Sequence, residues 1–283
     1  MLRGLATSWK YFRKSKLAVG GLIIILIFIF MAVAAPYLAP YDPQKSFVGP
    51  MFSPPSIKHP LGTDDAGRDV LSQIIYGSRI SLIVGLLTAA VATLLGTIVG
   101  LLSGYFGGSL DEVLMRITDI FLTIPFIPLA ILFALYFGPN IWNIILIFGL
   151  FGWPPVARQV RSQILSLRET LFVEALRALG ASDKRVIFIH LLPNVSGIIM
   201  ANVVSRTVFV ILAEAGLAFL GASDPRNISW GMMIFYALRS GAVIQGAWWT
   251  YIPAGLCVAL LACGFSFLGH GINLVLNPRL RGR

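Results

Sequence analysis

Long apolar stretches alternate along the chain with shorter segments that carry most of the charged residues. A helix needs about 20 consecutive apolar residues to cross the hydrocarbon core of a bilayer, and six stretches approach or exceed this length. The pattern therefore predicts an all-α polytopic membrane protein with six transmembrane helices. The predicted spans comprise residues 17–35, about 80–102, about 114–137, about 141–156, about 195–217 and about 251–276.

Prolines lie in or beside two of these spans. The fourth span is short and ends at Pro154 and Pro155, and the third contains Pro125 and Pro128. Proline lacks a backbone N–H and clashes with the preceding turn. We therefore expect the third span to be kinked, which neighbouring helices of a bundle can tolerate.

The distribution of basic residues predicts the orientation in the membrane, because lysine and arginine are enriched in cytoplasmic loops. With the N-terminus inside, the inner segments hold 15 of the 22 basic residues, the outer segments hold six, and Arg206 lies within the fifth span. This bias and the even number of spans predict that both termini are cytoplasmic. The inner segments are residues 1–16, Arg116 and residues 157–194 and 277–283.

The first 16 residues have a helical repeat of their own. Leu2, Leu5, Trp9 and Phe12 lie at helical spacing, with basic residues elsewhere on the wheel. This predicts an amphipathic helix on the inner membrane surface; a basic tail that only sets topology is the alternative. Cleavage of residues 1–35 as a signal peptide is a further alternative, which the length of the apolar run disfavours.

The composition excludes several other classes of protein. The chain has 283 residues, of which 57% are hydrophobic and 12% charged, and its mean hydropathy is +0.83. Since soluble domains are roughly 25% charged, a cytosolic enzyme and a disordered chain are excluded. Cys257 and Cys263 are too few for a disulfide framework or a metal site. The net charge of +10 reports membrane topology and does not indicate nucleic acid.

Small residues recur along the second span. Ala92, Gly96, Gly100 and Gly104 are each four residues apart. Small residues on one face of a membrane helix let another backbone approach closely. The second span is thus predicted to be closely packed, against either a helix of this chain or another subunit.

No credible catalytic set is found in the sequence. There is no Gly-x-x-x-x-Gly-Lys-Ser/Thr loop, so we do not expect this chain to hydrolyse ATP by that route. His59, His190 and His270 fall in different segments and lack the spacing of metal ligands. The sequence therefore predicts a chain that is not an enzyme and has no metal or cofactor of its own.

The predicted inner loop, residues 157–194, is the most informative segment. Phe172, Leu176 and Leu179 lie at helical spacing, and Gly180 stands where a helix would end. A short helix with one apolar side is therefore expected here.

A second helix is expected to follow. Ser182 and Asp183 are placed to cap it, and Pro193 is expected to mark the return to the membrane. Together the two helices predict a protrusion that a partner protein can move; an amphipathic helix on the membrane surface is the equal alternative.

Residues 174–193 resemble the EAA motif of ABC-importer permeases: Glu-Ala-Ala, three residues, Gly, nine residues, then Ile-x-Leu-Pro. The chain departs from the motif at Leu176, which replaces the second Ala, and at His190, which replaces Ile. The His-x-Leu-Pro-Asn form of residues 190–194 looks like the peptide-importer branch. The residues in register are Glu174, Ala175, Gly180, Leu192 and Pro193.

Two further stretches resemble the same branch. Residues 61–79 are similar to its outer-loop signature, and residues 214–232 to its stretch after the fifth span. The resemblance covers nearly the whole chain in order and matches the DppC/OppC family of permeases. It implies the type I ABC-importer permease fold. The implied parts are an extracytoplasmic loop (36–79), a permease core (80–276), a coupling loop within it (157–194) and a cytoplasmic tail (277–283).

The resemblance also implies partners. These are a homologous second permease (DppB/OppB-like), two ABC ATPase subunits that bind ATP and Mg, and an extracytoplasmic substrate-binding protein. The implied substrates are di- or oligopeptides; oligosaccharides and nickel stay open, because specificity resides largely in the binding protein. A secondary transporter is disfavoured because no internal repeat is visible, and an enzyme because no catalytic residues converge.

The resemblance places one group of site residues in the coupling loop. Glu174 and Arg177 are expected to make polar contacts with an ATPase, while small residues permit its close approach. The alternative is that Glu174 only favours a helix N-terminus and Arg177 is solvated. The predicted coupling residues are Glu174, Ala175, Arg177, Gly180, Ala181, Ser182 and Asp183.

Three ionisable residues fall inside predicted spans, where a charge is costly and usually functional. They are Asp119, Arg206 and Glu214. We expect them to line the translocation path or to pair with the partner permease. Partial hydration near the membrane boundary is the alternative for Asp119 and Glu214.

The outer segments, residues 36–79 and 221–250, are rich in Pro, Gly, Trp and Asp. They are predicted to be ordered and to dock the binding protein. The candidate gate or docking residues are Asp64, Arg68, Asp69 and Trp230; a purely structural ion-pair network is the alternative for the three charged ones.

Overall fold

The structure, a computed structural model, describes residues 12–276, and the structural statements below concern these residues. Within this range there is no β-strand, only an isolated bridge between Thr63 and Asp69. A π-helix (Val186–Leu191) precedes the helix that begins at Leu192, and a short 3₁₀ helix (Trp248–Thr250) precedes the helix that begins at Ile252. The main helices are α1 (Lys16–Val33), α2 (Ala35–Leu38), α3 (Val70–Phe106), α4 (Gly108–Thr123), α5 (Phe126–Phe137), α6 (Ile141–Gly152), α7 (Pro154–Arg168), α8 (Leu171–Ala178), α9 (Asp183–Arg185), α10 (Leu192–Phe219), α11 (Trp230–Arg239) and α12 (Ile252–Leu276).

Five helical segments of this range are long and apolar enough to cross a membrane. Helices α4 and α5 pass the same test together, but they are bent by 78° and make a sixth span only if the pair counts as one. The prediction of an all-α membrane protein with six spans is confirmed in this form. The five segments are α1, α3, α6 with α7, α9 to α10, and Trp248–Val275. The predicted N-terminal helix (1–16) and cytoplasmic tail (277–283) lie almost wholly outside the described residues.

The third span breaks at Pro125. The residue before it, Ile124, and Pro125 itself have extended backbone, with ψ of 122° and 112°. A residue that precedes proline is disfavoured in a helix, and proline has no N–H to donate. The chain therefore leaves the helix at Thr123 and starts a new one at Phe126, which is a sharper break than the predicted kink.

The fourth span is longer than the apolar pattern indicates. Helix α6 passes through Trp153 directly into α7, so the helical segment extends to Arg168 instead of ending near residue 156. Pro154 does not stop it, because the first position of a helix does not need a backbone N–H. The first third of the predicted coupling loop is therefore helix.

The fifth span also begins earlier than predicted, at Asp183. Pro193 does not mark its start. This proline follows the π-helix and lies in the first turn of α10. Proline has no backbone N–H to donate, and the π-helix before it has already changed the hydrogen-bond pattern from that of an α-helix. Only residues 169–182, with α8 among them, form the connection between the fourth and fifth spans.

Helix α3 is the longest, with 37 residues, and packs against α1, α6, α7 and α10. It begins well before the predicted second span because Asp69 caps it. The Asp69 carboxylate accepts a hydrogen bond from the Ser72 N–H at 2.8 Å. The helix thus begins in the predicted outer segment and ends at Phe106, beside α7.

Glycines on α3 bring α7 close. A Cβ built on Gly96 would lie 2.6 Å from the Cβ of Val156, and one built on Gly104 would lie 2.8 Å from the Cβ of Ile164. A Cβ on Gly100 would lie 2.6 Å from the carbonyl oxygen of Ala157. The predicted close packing of the second span is confirmed, and its neighbour is a helix of the same chain.

Candidate functional site

The connection between the fourth and fifth spans forms a compact protrusion, which we call the coupling segment (residues 169–183). Helix α8 ends in a Schellman motif. The Gly180 N–H donates to the Arg177 carbonyl at 2.9 Å, and the Ala181 N–H donates to the Leu176 carbonyl at 3.0 Å. Gly180 has a φ of +77°, which glycine adopts without strain. The helix end predicted at Gly180 is confirmed.

The tip of the coupling segment is apolar and exposed. Leu171 and Leu179 are 82% and 84% exposed, and Phe172 is exposed as well. Around Gly180 the space is open, since a Cβ there would meet nothing within 4 Å. Large apolar side chains that stand in a group on a protrusion mark a surface for a partner.

The predicted coupling residues lie mostly on this surface. Glu174, Ala175, Gly180 and Ser182 are exposed, and Ala181 is half-buried. The Glu174 side chain makes no hydrogen bond or ion pair with the described residues, although its backbone N–H donates to the Thr170 carbonyl at 3.2 Å. Ser182 occupies the N-cap position of α9, but its side chain does not make the capping bond that the sequence suggests.

Arg177 and Asp183 are held within the chain by Tyr105. This tyrosine lies in the last turn of α3 and is buried. Its hydroxyl donates to Asp183 Oδ1 at 2.6 Å, and the Arg177 guanidinium lies 4.8 Å from the centre of its ring. Arg168, at the end of α7, donates to the Tyr105 carbonyl at 3.3 Å. The sequence analysis misses Tyr105, because a single tyrosine at the end of a span gives no signal.

Two ion pairs join α4 to α7 near the same end. Arg161 bonds both oxygens of Asp111, at 2.6 and 2.5 Å. Arg158 bonds Asp119 at 2.5 Å, and both side chains of this pair are about half exposed (54% and 53%). Asp119, which is predicted to line the translocation path, is thus paired within its own chain.

Arg206 lies in the middle of α10 on the wall of a cleft of about 400 Å³. The other lining residues include Gln159, Asn202, Ser205 and Asn273. Arg206 is half-buried, and its guanidinium lies 5.7 Å from the ring centre of Phe209. The structure therefore places this predicted path residue at a polar cleft.

Glu214 does not line this cleft. Its side chain is buried beneath the segment that follows α10, where Ser223 Oγ donates to its carboxylate at 3.3 Å. Arg206 and Glu214 are eight residues apart on the helix, so about 12 Å of helix axis separates them. Arg206 and Glu214 therefore do not form one site.

The outer segment buries its predicted charged residues in a network. Asp64 accepts from Arg68 at 2.6 Å and from Gln73 at 2.7 Å. Asp69 is 0% exposed and accepts from Ser72, and its Oδ1 lies 2.9 Å from His59 Nδ1. A structural ion-pair network, one of the two alternatives for these residues, is present.

Trp230 is 0% exposed, so it offers no surface for docking. Its indole N–H donates to the Ile74 carbonyl at 3.0 Å, and its ring meets Phe28 of α1 edge-on at 5.2 Å. Gly77 makes room for it on α3, since a Cβ there would lie 2.7 Å from the indole. Trp230 therefore joins the outer segment to α1 and α3.

One carboxyl of this segment has a shifted pKa. Burial raises the pKa of Asp65, the neighbouring Asp64 charge raises it further, and Arg68 acts in the opposite direction. Across residues 12–276, no three His, Cys, Asp or Glu side chains are grouped as a metal site requires.

Comparison with known proteins agrees with this architecture. The family described as "Binding-protein-dependent transport system inner membrane component" matches residues 92–282. The family described as "N-terminal TM domain of oligopeptide transport permease C" matches residues 5–60.

Several curated proteins are similar over almost the whole chain. A dipeptide transport system permease protein DppC of Bacillus subtilis is 36% identical over 97% of this chain and 85% of that protein. An oligopeptide transport system permease protein OppC of the same organism is 37% identical, over 95% and 88%. A di/tripeptide transport system permease protein DppC of Pseudomonas aeruginosa is 32% identical, over 96% and 91%.

Proposed function

Since the chain belongs to the family of inner membrane components of binding-protein-dependent transport systems, we propose that it is one of two permeases of an ATP-driven peptide importer. The similar proteins named above are permeases for dipeptides, di/tripeptides and oligopeptides. The other proposed subunits of the transport complex are a second permease, two ATPase subunits and an extracytoplasmic binding protein. ATP and Mg are bound by the ATPase subunits and not by this chain.

The observation that carries the proposal is the coupling segment. It presents an exposed apolar tip around Leu171 and Leu179 and an unpaired Glu174, and it is tied at its base to α3 through Tyr105. A protein that binds the tip can therefore displace α3. Because a ligand shifts a conformational equilibrium only by its differential affinity for the two states, ATP binding must favour one position of this segment.

The proposed topology puts this segment in the cytoplasm. Basic residues are concentrated in and around it, as the orientation rule for cytoplasmic loops requires. The outer segment with Asp64, Asp69 and Trp230 then faces the binding protein, and both termini are cytoplasmic.

The test compares two glycines that each follow the last turn of a helix with a positive φ. Gly180 and Gly138 have φ of +77° and +81°, and a Cβ at either would meet nothing within 4 Å. Gly180→Trp and Gly138→Trp should therefore strain the chain by a similar amount. Only the first places a bulky side chain on the coupling segment.

Both variants are assembled with the partner subunits in vesicles, and ATP-dependent uptake of a radiolabelled dipeptide is measured. We expect Gly180→Trp to reduce uptake by about tenfold or more, in the range typical of coupling between sites, while the Gly138→Trp complex works near the wild-type rate. Equal uptake by the two complexes would contradict docking at this segment.

A further inference from the structure

Arg206 is a cation near the middle of a membrane-spanning helix. It is roughly 20 Å from either end of α10 at 1.5 Å per residue, whereas half the hydrocarbon core is about 15 Å thick. Among the described residues its guanidinium forms no ion pair or side-chain hydrogen bond, and it lies over the Phe209 ring. A charge at such a depth needs a compensating partner.

No carboxylate of the described chain supplies that partner. Asp119 is bonded to Arg158, and Glu214 is buried against Ser223. Apart from Arg206, the cleft is lined by uncharged residues: the polar Gln159, Asn202, Ser205 and Asn273 and the apolar Ile198, Ala201 and Phe209. None of these side chains neutralises the guanidinium, so a compensating negative charge has to come from outside this chain.

A second cleft, of about 240 Å³, meets the first at Arg206 and Phe209. Its wall is aromatic and apolar, with Phe121, Phe126 and Phe151 among the lining residues. Arg206 thus stands at the junction of a polar cleft and an aromatic one. A ligand that fits both has an anionic end next to an apolar side chain, which describes the C-terminal residue of a peptide.

We propose that Arg206 binds the C-terminal carboxylate of the transported peptide while the adjoining aromatic cleft receives its last side chain. The proposal rests on the proposed peptide-import function. The planar guanidinium offers two parallel N–H donors that match a carboxylate, and such charge-assisted pairs are the stronger hydrogen bonds of proteins. A lipid phosphate does not compete, because the headgroups lie too far from the middle of α10.

The test uses the whole complex in vesicles and two substrates, Ala-Ala-Phe and its C-terminal amide. Uptake of each is measured for the wild type, for Arg206→Gln and for Arg206→Lys, with the same binding protein. The preference of the binding protein then cancels when the acid-to-amide ratios are compared. We expect Arg206→Gln to lower the ratio by roughly 10- to 100-fold, as loss of a hydrogen bond to a charged group does, and Arg206→Lys to lower it less.

A second measurement does not depend on uptake of the amide. Equilibrium binding of radiolabelled Ala-Ala-Phe to the complex in nanodiscs, without the binding protein, should weaken by a similar factor in Arg206→Gln. Arg116→Gln is the matched control. It removes an exposed arginine of α4 that lines neither cleft, and it should leave both the ratio and the binding unchanged.

The outcomes separate the alternatives. If Arg206→Gln reduces uptake of acid and amide equally, Arg206 pairs with a carboxylate of the second permease or stabilises the fold, and the proposal is overturned. Unchanged binding of the acid overturns it too. If the wild-type complex takes up neither peptide, the proposed function itself fails, which is a different result from an unaltered ratio.

Discussion

The two ends of α3 stabilise charge in different ways. At the end near Val70, Asp69 is fully buried, caps the helix and contacts His59 and Ser72. At the end near Phe106, Arg177 and Asp183 are exposed around the Tyr105 ring, and the Arg158–Asp119 pair between the neighbouring helices α7 and α4 is half exposed. Buried, fully bonded polar groups favour one arrangement, whereas exposed pairs rearrange at little cost. We therefore expect the contacts around Asp69 to stay together and those around Tyr105 to rearrange.

The largest expected effect is a loss of stability when the buried network at Asp69 is disrupted. Asp69→Ala removes three hydrogen bonds and leaves His59 and the first turn of α3 without a partner. Loss of the N-cap and of acceptors for buried donors should destabilise the chain by about 2–5 kcal/mol. Asp119→Ala, the exposed counterpart, should change stability by only about 0–1 kcal/mol. Thermal unfolding of the two purified variants in detergent tests this; similar losses would mean that the two ends do not differ.

A smaller effect is expected at the other end of α3, near Tyr105. Tyr105→Phe keeps the ring beneath Arg177 and deletes the hydroxyl bonded to Asp183. We expect a loss of about 1 kcal/mol in stability, together with fewer peptides taken up per ATP hydrolysed in the reconstituted complex.

Tyr251→Phe is the control for Tyr105→Phe, since it removes a hydroxyl from a residue near the start of α12. It should leave the ratio of uptake to hydrolysis at the wild-type value. A Tyr105→Phe complex with an unaltered ratio would show that this hydroxyl does not link the coupling segment to α3.

The smallest effect concerns Asp65 in the outer segment. Burial raises the pKa of Asp65 above its usual value, so folding disfavours its ionised form. Its contribution to stability is lost as the pH rises through the folded pKa. Asp65→Asn should therefore stabilise the chain slightly at pH 7 and make no difference at a pH low enough to protonate the carboxyl in both states. Unfolding temperatures across this pH range provide the measurement.

The sequence predicts features that depend on local pattern. Six apolar stretches, the helix end at Gly180 and the close packing at Gly96 and Gly100 all follow from hydropathy or residue size. The boundaries of the fourth and fifth spans do not, because hydropathy reports burial in lipid and not helicity. Helix α7 carries Arg158, Arg161 and Arg168, so it has the composition of a loop although it continues a span.

Contacts between residues that are distant in the sequence are the other part that the sequence does not predict. Tyr105 and Asp183 are 78 residues apart, and neither segment contains a signal that it contacts the other. Glu214 has the appearance of a path residue until the fold places Ser223 over it. The choice between a structural network and a gate at Asp64 and Asp69 depends on burial, which only the packing of the outer segment determines.

The glycine seam between α3 and α7 has a mechanical consequence. Because their backbones are in close contact from Gly96 to Gly104, the two helices resist sliding and bending independently, so α3 acts as a stiff lever. Its 37 residues give a length of about 55 Å, and a tilt of about 5° about one end would move the other by about 5 Å. A small rotation imposed at Tyr105 thus becomes a displacement at Asp69 comparable to the width of a peptide backbone.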